Sequence, residues 1–265
     1  MLDASRVWQK GNAMQVRTGF TTQQLNMLCQ YSYGIGRGDA KTRPGLHWFE
    51  DPALGSYWVL RSRYCPENGF EGMIAAQGLE NGPDYAHLIV VYAGTNLRDD
   101  PRHDIHAALT CFLPPLNGEP GQTQQAGILA KQALDLARRK AGTERGVLFT
   151  GHSLGGGLAL IQAAEQDLPA RVFCAADPWR VLDQEQRQRV ARHYGDGKFL
   201  DYRLGNDRVT GTANRLLSGQ ADRSACVVWC GKGPSRFGHW LGDFAFDQGG
   251  EVLFETPITG AAYQR

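Results

Sequence analysis

Ser153 lies in Gly151-His152-Ser153-Leu154-Gly155, a Gly-x-Ser-x-Gly pentapeptide suited to hold an activated serine nucleophile. The residues around it, 146–160, read as an apolar strand, a tight turn and an alanine-rich helix. A serine on such a turn sits in strained backbone with its hydroxyl pushed out of the sheet. Side chains at positions 151 and 155 would clash there, so both are glycine. The helix that follows aims the positive end of its dipole at the reacting group. That leaves the Leu154 backbone N–H free to bind a developing oxyanion. The plainer reading of the same residues is a helix start capped by serine, with glycines for close packing. The coincidence of apolar strand, pentapeptide, extra glycines and alanine-rich helix favours the nucleophile.

A nucleophilic serine on this kind of turn needs an acid and a base, in the chain order serine, acid, histidine. Of seven histidines, only His193 and His239 follow Ser153. His193 closes a charged segment, Arg187-Gln-Arg-Val-Ala-Arg-His193, and reads as a solvated surface residue. His239 lies in Arg236-Phe-Gly-His-Trp240, just past a strand-like run at 226–230. A loop at the carboxyl end of that strand can set an imidazole over the serine, so His239 is the expected base. Packing against Trp240, or capping a helix, would be its non-catalytic role. Two aspartates compete as the acid. Asp207 follows the strand at 199–204, two strands on from the nucleophile strand. Asp177, in Cys174-Ala-Ala-Asp-Pro178, is one strand on. The reading favours Asp207, with Asp177 as the alternative acid. Either would fix the histidine tautomer and stabilise the imidazolium without changing protonation.

These residues need elements to hold them. A threonine at 21 or 22 caps a helix running to about 33, followed by a glycine-rich loop at 34–45. Residues 57–63 and 72–76 read as an antiparallel pair. Residues 88–92 form a continuous apolar run, as a buried parallel strand should. Helices are expected at 122–141, 154–166, 183–193 and 237–246, and strands at 147–149, 171–175, 199–204, 226–230 and 251–255. Strands alternating with helices imply a mostly parallel central sheet with helices on both faces, the α/β-hydrolase arrangement, as one domain over 1–265.

The chain's 265 residues, 42% hydrophobic and 21% charged, suit a soluble globular core. A net charge of +1 gives no case for nucleic acid. Cys226 and Cys230 are too far apart for a Cys-x-x-Cys redox or zinc motif. The first ten residues lack the apolar core of a signal peptide, which predicts a cytoplasmic chain or one exported without an N-terminal signal. No cofactor motif is present. Asp99, Asp100, His103, Asp104 and His106 are read as turn and cap residues rather than a metal site.

The run Gly151-His-Ser-Leu-Gly-Gly-Gly-Leu-Ala159 resembles the nucleophile segment of class 3 lipases. Val91-Tyr-Ala-Gly-Thr95 resembles their preceding strand, with Ala93 where that family commonly carries arginine. The segment ending Asn206-Asp207-Arg208-Val209 resembles the one that holds their catalytic aspartate. The likeness spans roughly residues 88–239 and leaves the N-terminal 80 residues unmatched. It implies a lipase or phospholipase A activity on acyl lipids, with Thr95 N–H joining Leu154 N–H in the oxyanion hole. It also implies a lid over 96–121, acidic at first and apolar from Leu109 to Leu116, and transient contact with a membrane surface. Gly155-Gly-Gly-Leu-Ala159, with Phe173-Cys-Ala-Ala176 beyond it, is also similar to bacterial lipase-type phospholipase toxins, for which a neutralising partner protein is expected. Other serine hydrolases or acyltransferases on the same fold, and an inactive binding protein, are the alternative functions.

Overall fold

The computed structural model describes residues 19–94, 121–211, 214, 223–236 and 238–253. Thr21 and Gln24 form a capping box: the Thr21 hydroxyl accepts from Gln24 N–H and the Gln24 side chain accepts from Thr21 N–H. That starts α1 (Thr22–Ser32), whose Leu25, Leu28 and Cys29 share one buried stripe.

Four antiparallel strands follow in order: β1 (Gly45–Trp48), β2 (Ser56–Cys65), β3 (Phe70–Leu79) and β4 (Gly82–Tyr92). From β4 onward the sheet is parallel, through β5 (Leu148–His152), β6 (Ala170–Phe173), β7 (Phe199–Arg203) and β8 (Cys226–Trp229). Strand order in space follows the chain, β1 to β8. Helices α2 (Gln122–Ala141), α3 (Leu154–Gln166) and α4 (Gln184–Arg192) join β4 to β5, β5 to β6 and β6 to β7.

The alternation of β4 shows why its apolar run is unbroken. Leu88, Val90 and Tyr92 face the core shared with Ala126, Leu129 and Ala130 of α2 and Leu158 of α3. Ile89 and Val91 face the other core, shared with Leu25, Leu28 and Cys29 of α1. The sheet is therefore covered by helices on both faces, and its middle strands are buried twice over. α4 buries only Val190, as its charge pattern implies.

The structure departs from the sequence expectations mostly at polar or short segments. Residues 45–48, at and beyond the end of the expected loop and given no element from sequence, form the edge strand β1, whose alternate residues remain exposed. β4 begins six residues ahead of the expected start, because its first half is only partly buried and lacks an apolar signature. The expected helix at 237–246 is only a 3-10 turn at Leu241–Asp243 among the described residues. Of the edge strand expected at 251–255, the described residues show an isolated bridge from Val252 to Phe246. Residues 96–120 of the expected lid lie outside the described residues.

Candidate active site

Ser153 occupies the break between β5 and α3 with φ 54° and ψ −122°, a positive φ that a non-glycine residue rarely adopts. Such strain costs on the order of 1–3 kcal/mol and persists only where the surroundings enforce it. Here they do. Ser153 N–H donates to the Phe173 carbonyl at 3.1 Å, and the Ser153 carbonyl accepts from Ala176 N–H at 3.0 Å and Gly157 N–H at 3.2 Å. Gly155 lets α3 press onto the end of β4: a Cβ there would overlap the carbonyls of Tyr92 and Ala93. Backbone cannot step aside as a flexible side chain could. Gly155→Ala is therefore expected to destabilise the fold by about 3 kcal/mol or more, read as a lowered midpoint in denaturant unfolding.

Ser153 is partly exposed, and its Oγ lies 3.1 Å from His239 Nε2. His239 Nδ1 lies 3.1 Å from Asp207 Oδ1. Both the His239 and Asp207 side chains are essentially out of solvent. A carboxylate can only accept, so Nδ1 carries the proton and Nε2 is bare toward the serine hydroxyl. Thr210 reinforces this. Its N–H donates to Asp207 Oδ1 at 3.0 Å, and its hydroxyl donates to the Cys174 carbonyl at 2.9 Å. The Thr210 oxygen then has a lone pair for His239 Nδ1–H at 3.2 Å. Burial pushes the Asp207 carboxyl up, but hydrogen bonds from His239 and Thr210 outweigh it and leave it below the usual carboxylate range. Asp207 thus stays ionised beside the imidazole.

The other histidine and aspartate considered from sequence lie elsewhere. His193 pairs with Asp196 at 2.6 Å, beside Asp167 and Lys198. Asp177 braces its own loop: its Oδ1 accepts from Trp179 N–H and the Ser224 hydroxyl, and its Oδ2 accepts from Arg223 N–H at 2.9 Å. Trp240 is exposed, and the His239 ring packs instead against His152, with ring centroids 4.7 Å apart.

The segment carrying His239 has little regular structure, so side chains hold it. The Asn206 amide donates to the carbonyls of Gly233 and Ser235, and its oxygen accepts from Gly233 N–H. Gly238 adopts φ +56° directly against Asn206, where a Cβ would overlap both side chain and backbone. Asn206 therefore spans from the segment that bears Asp207 to the segment that bears His239.

Leu154 opens α3, so its N–H belongs to the first turn, where no intrahelical acceptor exists. It adjoins Ser153, where the sequence reading expects an oxyanion donor. Thr95, the second donor expected from the resemblance, lies outside the described residues, as do Asp99 to His106. Cys174, Asp207 and His239 bring one ligand atom each within 4.8 Å of one another, the kind of grouping a metal could use. Asp207 and His239 already hydrogen-bond to each other, and burial holds the Cys174 thiol well above its usual pKa.

His152 is buried and neutral. Burial first, and the neighbouring His239 charge second, push its pKa from 6.5 down to about 3. The unfolded chain takes up a proton below 6.5 that the folded chain refuses. Its contribution to stability is thus complete above 6.5 and is lost as pH falls toward 3. This group should steepen the loss of unfolding free energy by up to about 1.4 kcal/mol per pH unit between roughly pH 6 and 4. Denaturant titrations across that range should show a shallower slope for His152→Phe.

Sequence reasoning passed over Tyr33, His152, Asn206 and Thr210. His152 was in view as the variable residue of the pentapeptide. Tyr33 carried no signal, since a tyrosine closing a helix is unremarkable until the fold brings it to the serine.

The sequence model of a family described as a phospholipase-like, Tle-like phospholipase domain matches residues 60–197. No curated protein matches the chain in sequence. Among solved structures, the lipase of Rhizomucor miehei in its native propeptide complex aligns with a TM-score of 0.53 at 15% identity, over 92% of this chain and 75% of that one. The MDLA protein of Penicillium cyclopium, in a mutant form, aligns with a TM-score of 0.53 at 12% identity, over 89% of this chain and 86% of that one. At such identities the likeness is one of fold: the mixed eight-stranded sheet with helices on both faces is that of the lipase-type α/β-hydrolases.

Proposed function

The chain belongs to the Tle-like phospholipase domain family, and on that premise we propose that it hydrolyses carboxylic esters of acyl lipids, phospholipids above all, with Ser153 as nucleophile, His239 as base and Asp207 as acid. One observation carries the reading. A partly exposed serine in strained backbone at the start of a helix meets His239 Nε2, whose Nδ1 meets a buried, ionised Asp207.

The chemistry follows from that line of atoms. His239 Nε2 takes the Ser153 proton as Oγ attacks the ester carbonyl. Asp207 holds the tautomer and stabilises the imidazolium that results. The negative oxygen of the tetrahedral intermediate is met by Leu154 N–H and the positive end of α3, with Thr95 N–H as second donor by resemblance to class 3 lipases. The intermediate collapses as His239 protonates the departing alcohol, for a phospholipid the lysolipid. Water, deprotonated by the same imidazole, then releases the fatty acid from Ser153. No metal or cofactor is needed for any step. An activity-based fluorophosphonate should label Ser153 stoichiometrically, as read by intact-mass and peptide mass spectrometry. Absence of label on the folded protein would remove the reading.

A further inference from the structure

We infer that Tyr33 and His152 are a positioning pair that holds the base, His239, in register with Ser153. This rests on the roles proposed above for those two residues. The two nitrogens of His152 have different partners. Nε2 lies 2.8 Å from the His239 backbone carbonyl, which can only accept, so Nε2 carries the proton. Nδ1 is therefore bare, and the Tyr33 hydroxyl 2.6 Å away must donate to it. One hydrogen-bond line thus runs from Tyr33 through His152 to the main chain of His239. Each partner is the only chemically allowed one for its direction.

The line joins parts of the molecule that chain connectivity leaves apart. Tyr33 is the C-cap residue of α1. His152 ends β5 and immediately precedes the serine. His239 comes from the irregular segment beyond β8, where His152 is the partner of its carbonyl. The end of β4 is included as well: the Gly94 amide lies against the Tyr33 hydroxyl, and a Cβ on Gly94 would collide with that hydroxyl and touch the Ser153 Cβ. The His152 and His239 rings pack 4.7 Å apart, so a shift of one moves the other. Burial raises the Tyr33 pKa and lowers that of His152, so both remain neutral and the donor directions do not reverse around neutral pH. α1 and Tyr33 lie outside the family-matched residues 60–197, which gives the N-terminal segment a part in catalysis beyond covering one face of the sheet.

A pair that only satisfied buried polar atoms would affect stability and leave the chemical step alone. A positioning pair must affect the step itself, because a misplaced catalytic group costs up to about a hundredfold for displacements near an ångström. Tyr33→Phe keeps the ring and removes the donor. It should lower kcat on a phospholipid about 10- to 100-fold with KM little changed, and slow fluorophosphonate labelling of Ser153 by a similar factor. His152→Phe should be as impaired, and adding Tyr33→Phe to it should cost little more, since both break one line. His152→Gln, whose amide N–H can still reach the His239 carbonyl, should recover part of the loss. Should His152→Phe not fold, Tyr33→Phe and His152→Gln decide the matter alone. Wild-type kcat and labelling rate in folded Tyr33→Phe would overturn the inference, whatever happened to its melting temperature. Retention of activity by Ser153→Ala would instead overturn the underlying catalytic reading, so the two failures are distinguishable.

Discussion

Ser153→Ala is expected to lower turnover on acyl-lipid esters by about ten-thousand- to a million-fold while the protein remains folded and still binds lipid. The size of the effect follows from the route. Without Oγ there is no acyl-enzyme, and His239 can only help water attack directly. What survives is the contribution of the oxyanion donors and of binding. The substitution is also structurally mild: Ser153 is partly exposed, and the bonds that fix its strained backbone come from its own N–H and carbonyl. The variant's denaturation midpoint should therefore stay close to the wild type or rise slightly. Steady-state rates and unfolding curves on the same preparations check both halves.

Asp207→Asn and Asp177→Asn should separate catalysis from support. Asp207 Oδ1 meets His239 Nδ1 at 3.1 Å, and the carboxylate is out of solvent. An amide in its place turns a pure acceptor into a group that can also donate. That permits the wrong imidazole tautomer and cannot balance an imidazolium, for which a loss of about ten-thousand-fold in kcat is expected. Asp177 accepts from Trp179 N–H, Arg223 N–H and the Ser224 hydroxyl. An amide there leaves at least one of these buried donors without an acceptor, at a cost of roughly 1–3 kcal/mol of stability. Its kcat per folded molecule should stay within about tenfold of the wild type. The opposite pattern would make Asp177 the acid.

The site was legible from sequence where chemistry demands residue types in chain order. Ser153 stood out because glycines flank it between an apolar strand and an alanine-rich helix, and the structure places it on a strained turn between β5 and α3. Chain order left two histidines and two aspartates; the charged segment around His193 and the position of Asp207 two strands on favoured His239 and Asp207, and these two converge on that serine. What was illegible depends on contacts between residues far apart in the chain. Tyr33 and His152 are 119 positions apart, and no local pattern marks their bond. Asn206 joins the segments that bear Asp207 and His239 through backbone carbonyls, which have no sequence signature.

The fold followed the same division. The apolar run ending at Tyr92 gave β4 because both of its faces are buried, while the first residues of β4 are half-exposed and carried no such mark. β1 was missed because four residues with alternating exposure at a sheet edge resemble loop. The short helix expected near Trp240 gave way to a 3-10 turn, and the His239 carbonyl there is bonded by the His152 side chain rather than within a helix.

The most direct test of the central claim is mass spectrometry of the products formed on vesicles of a defined phospholipid, with Ser153→Ala run in parallel. The account predicts free fatty acid and lysophospholipid in equal amounts from the wild type and neither from the variant. No fatty acid release by folded wild-type protein, or equal release by Ser153→Ala, would contradict it.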